Sequence, residues 1–576
     1  MLSSPTKYDN STFYESNYDD EKWIEYYTNK IDTNECYNST EMSKLYYERA
    51  KHNYRLGEYS KCNIDLENSH RLLPNDENFV SFSFIYEKLG NIDKSLSLLI
   101  DYQKKYPEEE FIQDYINDIK NLKNFEYEDN ISKKNFEKLK DWLVIENSFL
   151  DNIQIKFHTN DNREIISNKE INLNESVLEI SLKCMMTTEL GKKTEIGKEV
   201  IDKNLNLYSK HNWISFILLE NLYKTDSIWR AYIDILPKRF DNVPIFFKKY
   251  YLNMLKGCTC LSKIVSKIDI LQSEYKYLFN NLETFKKYRL SEYIWARTVV
   301  ITRIYGIVVD GIKTQALVPF ADMLNHNSNP DTQWFFDDVN KVFKIISKKK
   351  FSANIPIYDS YGKKCNSRFF VNYGFVLDSN LENTVRFVFD LKSEEVSGLK
   401  YKKKFLDDSS NKTHILGKIE QNRSNFNIFL SKVRYLVCDD NIFFDKPLTT
   451  FLVPISLKNE IKTLKYIMRL CINHIKKYSS STKNDLDIVI NPLHKHNRKY
   501  SNVRNCIIMR YGEKLIYDYY IKMATIGIKL LTRDFEDLIE TNLLLDGLSG
   551  KYHLYISDSI CHLLNIDGKL DKYLFE

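Results

Sequence analysis

Residues 316–334, ALVPFADMLNHNSNPDTQW, and residues 359–378, DSYGKKCNSRFFVNYGFVLD, hold the densest polar and aromatic constellation in the chain. In the first stretch Asp322, Asn325 and His326 follow directly on an apolar run that reads as a buried strand. In the second, about forty residues on, come Tyr361-Gly362, Asn366 and Tyr373-Gly374-Phe375. Taken singly these signals are weak. An Asn-His pair beside an apolar run is more often a structural hydrogen-bonding pair than a site, and Tyr-Gly dipeptides are ordinary among 40 tyrosines. Their order and spacing together are not ordinary.

Outward from this centre the pattern alternates between strand and helix. FEKLKDWLVIENSFLDNIQIKF, residues 136–157, predicts a helix and then a strand in which Ile153, Ile155 and Phe157 alternate. ESVLEISL, from Glu175 to Leu182, predicts another strand. Aromatic-rich helical segments fill 188–295, short strands and turns 296–390, and mostly helix 391–576. Strand-bearing pieces therefore flank a helical insertion at about residues 190–290. Nearer the N-terminus, Leu56-Gly57 recurs as Leu89-Gly90 and Pro74 as Pro107, each 33 residues later. A helix, a tight turn at Gly and a second helix stopped near Pro make a helical-hairpin repeat. Residues 41–123 thus resemble about two tetratricopeptide repeats and a closing helix. So short an array cannot bury its own faces. It serves either as a structural arm on the next domain or as a groove that docks a peptide or protein partner. Residues 1–40 read as a mobile arm ending in a short helix, and 124–132 as a linker.

Composition bounds the rest. At 576 residues the chain exceeds the roughly 250–300 residues that one core sustains. With 43% hydrophobic residues but only 16 Gly and 11 Pro, collagen-like, linker-like and disordered classes are excluded. A net charge of +5 is too small for a nucleic-acid-binding surface. The lysine runs at 348–350 and 400–404 read as solvated loops, and His494-Lys495-His496 as a surface loop. Ten cysteines without a CxxC pair read as reduced, intracellular thiols. Cys258-Thr259-Cys260 lacks further ligands at metal spacing, so no metal is expected. The N-terminus has no signal-peptide core, and no apolar run approaches the ~20 residues of a membrane helix. The expected location is cytoplasmic, with the nucleus open.

The sequence Asn-His, Tyr-Gly, Tyr-Gly-Phe resembles the C-terminal half of a SET methyltransferase domain. More narrowly, the chain resembles the subfamily typified by the Rubisco large-subunit lysine methyltransferase and the actin-histidine methyltransferase. Four further segments carry this likeness, Trp142–Phe157, Trp213–Phe247, Ile294–Tyr305 and Asn502–Ile521, so that it spans about residues 133–576. It implies an α+β fold: a SET domain over 133–390, with the helical insertion, and a helical substrate-binding lobe over 395–576. It also implies a pseudoknot in which the 361–373 segment threads beneath a loop near Asn325. The methyl donor implied is S-adenosylmethionine, and the acceptor a lysine of a histone or non-histone protein, with histidine left open by the subfamily. By motif position Tyr361 looks like the catalytic tyrosine, bordering the cofactor as well, with Tyr373 its companion. Phe375 would wall the substrate channel together with Tyr373, and Asp322 would order the network there. Asn325 and His326 would hold the adenosyl group, Arg303 would face the cofactor carboxylate, and Asn162 and Arg163 would contact its methionine end.

Two features depart from the family pattern. A Gly-x-Gly turn is replaced by Asp161-Asn162-Arg163-Glu164, and SANIPIYDSYG places Pro356 in the strand before Tyr361, where it suggests an edge. Two readings follow. One is an active protein methyltransferase whose repeat arm and C-terminal lobe select the partner. The other is a SET-fold scaffold, weak or inactive in catalysis, that works through its interaction surfaces. The retained Tyr361, Tyr373, Arg303 and Asn325-His326 favour the enzyme; the lost glycine turn favours the scaffold.

Overall fold

The computed structural model describes residues 17–33, 38–127, 131–158, 163–396, 398, 400–402, 413–419, 423–532, 552–561 and 563. Its strands are short. In chain order they are β1 (Ile153–Phe157), β2 (Arg163–Ser167), β3 (Ser176–Ser181), β4 (Met186–Thr187), β5 (Ile304–Val309) and β6 (Ile312–Leu317). Then come β7 (Asn325–His326), β8 (Thr332–Asp337), β9 (Val342–Ser347), β10 (Tyr358–Asp359), β11 (Val385–Val388) and β12 (Thr413–Leu416). They form small sheets: antiparallel β1-β2, β3-β9-β8, β4-β6-β5 and β11-β12, and a parallel β10-β7 pair. The expected alternation appears in β1, whose Ile155 pairs with Ile165 of β2.

Between β4 and β5 the chain leaves the sheets for the helical insertion, whose long members are Thr259–Asn281 and Leu290–Arg303. The apolar faces of the insertion and the sheets share one core, with Ile180, Tyr293, Val299, Leu317 and Phe343 fully buried. Pro356 lies in an irregular segment against β2, where Ile357 N–H donates to Ile165 O at 2.9 Å, before the chain enters β10.

The C-terminal region is a helical lobe built on Asn502–Thr532, packed against Leu457–Ile475 and Arg423–Val437. Charges inside it are paired, as burial demands: Arg434 and Glu460 are both 0% exposed and bond at 2.7 Å, and Arg510 reaches Asp485. The buried Glu513 carboxylate takes the Thr259 N–H at 2.9 Å and the Tyr478 hydroxyl at 2.7 Å, joining insertion and lobe. Lys402 is not solvated as its lysine-rich run suggests. It is 0% exposed and donates to the carbonyls of Leu436 and Cys438, and burial lowers its pKa to about 8; residues 403–412 of that stretch lie outside the described residues.

At the N-terminal side the hairpins form as read. Ser39–Arg55 pairs with Tyr59–Leu72, and Asn78–Lys88 with Ile92–Lys105, turning at Gly57 and Gly90, whose φ values are +78° and +76°. Before them, Asn17–Thr33 is a 17-residue helix held to the first hairpin through Asp20, His52 and Arg55. Residues 1–16 and 34–37 of the proposed mobile arm lie outside the described residues. The linker reading of 124–132 fails where it is described: Phe111–Tyr127 stays helical to its end and Ile131–Ile145 follows. The His494-Lys495-His496 loop is no surface loop either. It is half-buried against the Phe111 ring and the Tyr115 hydroxyl, and burial drives the His496 pKa down to about 3. Among the described residues no helix is long and apolar enough to cross a membrane.

Candidate active site

The site begins with two strands of two residues each. β7 and β10 lie parallel, in register Asn325 with Tyr358 and His326 with Asp359, and Asn327 N–H donates to Asp359 O at 2.8 Å. This pairing delivers Tyr361 to His326. The Tyr361 N–H donates to His326 Nδ1 at 3.1 Å, so Nδ1 carries no proton and the ring hydrogen sits on Nε2. Burial, with Lys364 nearby, lowers the His326 pKa to about 4, and the imidazole is neutral at neutral pH.

The Tyr361 hydroxyl donates to Leu324 O at 2.8 Å, and burial holds this phenol well above its ordinary pKa. The ring stacks on Tyr373, centroids 5.1 Å apart and 29° between planes. Phe375 lies 6.2 Å from Tyr361 and 6.1 Å from Tyr373, and Phe369 stacks on Phe375 at 5.1 Å and meets His326 at 4.7 Å. Five rings thus close around one spot. The helix Asn366–Tyr373 supplies Phe369 and Tyr373, one turn apart on one face. It ends at Gly374 with φ +79°, where a Cβ would stand 2.7 Å from the Asn242 backbone of the insertion. Only glycine meets both demands. Asn366 then folds the following chain back, accepting from Leu377 N–H at 3.1 Å and donating to Leu377 O at 2.8 Å.

Arg303, the last residue of its helix, donates from Nη1 to the Asp322 carboxylate at 3.0 Å and its carbonyl at 3.3 Å. The carboxylate is 0% exposed and also receives the Tyr232 hydroxyl at 2.7 Å. Asp322 follows a Phe320 held at φ +69°, a backbone that an aromatic residue rarely adopts and that rigid surroundings must enforce. The Asn325 side chain donates to Arg163 O at 3.1 Å, and the Arg163 guanidinium lies on the Phe136 ring and contacts Met323 Sδ.

Of the residues singled out in the sequence, Arg163, Arg303, Asp322, Asn325, His326, Tyr361, Tyr373 and Phe375 form one chain of contacts; Asn162 lies outside the described residues. Sequence reasoning missed Tyr232, which sits ninety residues from its partner Asp322 with no local pattern to mark it. It also missed Phe369, whose spacing four before Tyr373 on a helix was a usable signal.

Three buried polar atoms beside the rings have no partner among the described residues: Arg303 Nε, Asp322 Oδ1 and His326 Nε2. Buried polar groups are seldom left so. Two donors and one anionic acceptor in one place suit a small zwitterionic ligand that also carries a heterocycle. S-adenosylmethionine has that chemistry, and the residues present fit it.

A family model described as Rubisco LSMT substrate-binding matches residues 440–516. The actin-histidine N-methyltransferase of Gallus gallus is 23% identical over 426 residues, 70% of this chain and 70% of that protein. That of Mus musculus is 21% identical over 393 residues, 64% of this chain and 65% of that protein. The ribosomal lysine N-methyltransferase set10 of Schizosaccharomyces pombe is 29% identical over 176 residues, 30% of this chain and 32% of that protein. The SET domain of LSMT bound to lysine and AdoHcy superposes with a TM-score of 0.57 at 16% identity, over 70% of this chain and 94% of that one. Rubisco LSMT bound to AdoMet gives 0.56 at 18% identity, over 69% and 93%. The chain has the SET fold of these structures, and residues 440–516 of its C-terminal lobe are similar to the Rubisco LSMT substrate-binding family.

Proposed function

We propose that this SET-fold protein is an S-adenosylmethionine-dependent protein methyltransferase acting on a lysine side chain of a protein substrate. The observation that carries the reading is the five-ring enclosure directly beside the unpartnered Arg303, Asp322 and His326 atoms. When bound, the cofactor supplies a methyl group on a sulfonium centre. Arg303 would face its carboxylate, with Arg163 beside its methionine end and Asn325 and His326 at its adenosyl group, and Tyr361 would border it. Asp322 fixes the Arg303 guanidinium, and Tyr232 fixes Asp322.

Methyl transfer to nitrogen needs an in-line approach and a neutral nucleophile, so positioning is the main contribution asked of the protein. A free lysine amine has a pKa of about 10.4, and a dry channel beside a cation lowers it. Tyr361, Tyr373, Phe369 and Phe375 exclude water and limit the room around the acceptor nitrogen. The hydrogen of the Tyr361 hydroxyl is committed to Leu324 O, so its oxygen faces the enclosure as an acceptor. That suits the N–H of an amine better than the bare nitrogen of an imidazole, which favours lysine over histidine.

The test is methyl transfer from labelled S-adenosylmethionine into a protein extract, followed by acid hydrolysis. Labelled methyllysine is expected, lost with Tyr361→Phe by about 10²-fold or more. Labelled methylhistidine would overturn the choice of acceptor. No incorporation, with no cofactor binding, would favour the scaffold reading.

A further inference from the structure

The loop Ile490–Lys499, INPLHKHNRK, leaves the C-terminal lobe and lies along the N-terminal repeats. Its polar partners come chiefly from the first helix of each hairpin and the turns that precede them. Arg55 donates to Ile490 O, and Asn491 Nδ2 to the Tyr47 hydroxyl at 3.2 Å. Ser81 Oγ donates to Leu493 O at 2.6 Å, and the Tyr115 hydroxyl to Lys495 O at 3.1 Å. Leu493 is 0% exposed among Ala50, Cys62, Leu66, Phe82 and Ile85. Lys495 pairs with Glu77 and Glu109, both at 2.7 Å, while Arg498 pairs with Glu87 at 3.2 Å and Asp118 at 2.5 Å. Four carboxylates thus face the loop's two cations.

We propose that this groove is a binding surface for a basic segment folded in consecutive turns, His494 N–H to Asn491 O and Asn497 N–H to His494 O, with a leucine followed two and five residues later by Lys and Arg, and that its resident ligand is this chain's own Ile490–Lys499 loop. The features that define a peptide site are all present: an apolar anchor, backbone carbonyls taken by side-chain donors, and paired charges at fixed spacing. The expected outside partner for the repeat arm therefore meets an occupied groove. Its occupancy also reaches the aromatic enclosure. Arg504 bridges Asn497 Oδ1 at 2.7 Å and Asp378 Oδ1 at 2.6 Å, three residues beyond Phe375. Asn502 Nδ2 donates to Asp241 O at 3.0 Å, next to the Asn242 that abuts Gly374. The arm grips the lobe, and the gripped loop borders the site.

The experiment uses the full chain with Lys495→Glu and Arg498→Glu together, which sets two anions against the acidic groove. Hydrogen exchange should quicken at least 10-fold in residues 490–501 and leave the β3-β9-β8 sheet unchanged. A labelled synthetic INPLHKHNRK peptide should then bind the variant at least 100-fold more tightly than the wild type, whose tethered loop competes at an effective concentration of about millimolar. The same peptide with Glu at its Lys495 and Arg498 positions should bind neither. Unchanged exchange in the loop overturns the proposal, and so does equal peptide binding to both proteins, which would mark a groove left open for outside partners. Should that variant fail to fold, Glu87→Lys with Asp118→Lys attacks the grip from the arm side and must give the same loop release.

Discussion

Asp359 shows what the site costs at the scale of one residue. It is 2% exposed, and burial raises its pKa to about 6 against an ordinary 3.8, even though Ser360 N–H donates to Oδ1 at 2.7 Å and Tyr305 lies 3.4 Å from Oδ2. A carboxyl whose folded pKa is raised stabilises the fold most fully below its unfolded pKa, and that contribution is lost as pH rises through 6. Asp359→Asn keeps the acceptor for Ser360. Its amide can donate to the Tyr305 oxygen, whose own hydrogen already goes to Ala321 O at 3.0 Å. The variant should therefore melt higher than the wild type at pH 7.5, by no more than about 3 kcal/mol, with the gap closing below pH 6. Melting curves at pH 5, 6 and 7.5 check this; a gap that widens on acidification contradicts it. His326 has the opposite shift. With its pKa near 4 against an ordinary 6.5, the unfolded imidazole takes up a proton that the folded one does not, so stability falls as pH drops through about 6.5 in wild type and variant alike, and the gap between them is unaffected.

At the scale of an element, the helix Asn366–Tyr373 and its glycine stop set the two site aromatics. Gly374→Ala meets a left-handed backbone and a Cβ 2.7 Å from Asn242. It should destabilise by about 1–3 kcal/mol and displace Tyr373 and Phe375 together, read as a lower melting temperature and a loss of activity in the same variant. An alanine that melts like the wild type would remove this account of the turn. Elements of this kind were legible in the sequence wherever chemistry is local. The β1 alternation and the repeated Leu-Gly turns at Gly57 and Gly90 each carry their reason within a few residues. What escaped was set by distance in the chain. The Tyr232–Asp322 bond, the burial of Lys402 against Leu436 and Cys438, and the contact of His496 with the Phe111 ring all depend on partners far away in sequence. Charge-rich runs read as solvated because nothing nearby in the chain neutralises them; the fold brings the carbonyls and carboxylates that do.

At the scale of the molecule, three helical bodies surround a small set of sheets: the insertion touches the site directly, and the other two reach its border through a chain of contacts. The insertion brings Tyr232 and Asn242, the C-terminal lobe brings Arg504 to Asp378, and the repeat arm holds the loop that Arg504 also grips. The fold class was legible through the resemblance to SET domains that the Asn-His, Tyr-Gly and Tyr-Gly-Phe segments carry. The joints between the bodies were not, because they rest on side chains such as Glu513 that pair across some 250 residues. The central claim, that Arg303, Asp322 and His326 hold a cofactor, does not need the substrate to be known. Calorimetric titration of the full chain with S-adenosylhomocysteine, alongside Arg303→Ala, tests it most directly. Micromolar binding by the wild type, abolished in the variant, is the predicted result; a folded wild-type protein that binds nothing at millimolar ligand would contradict it.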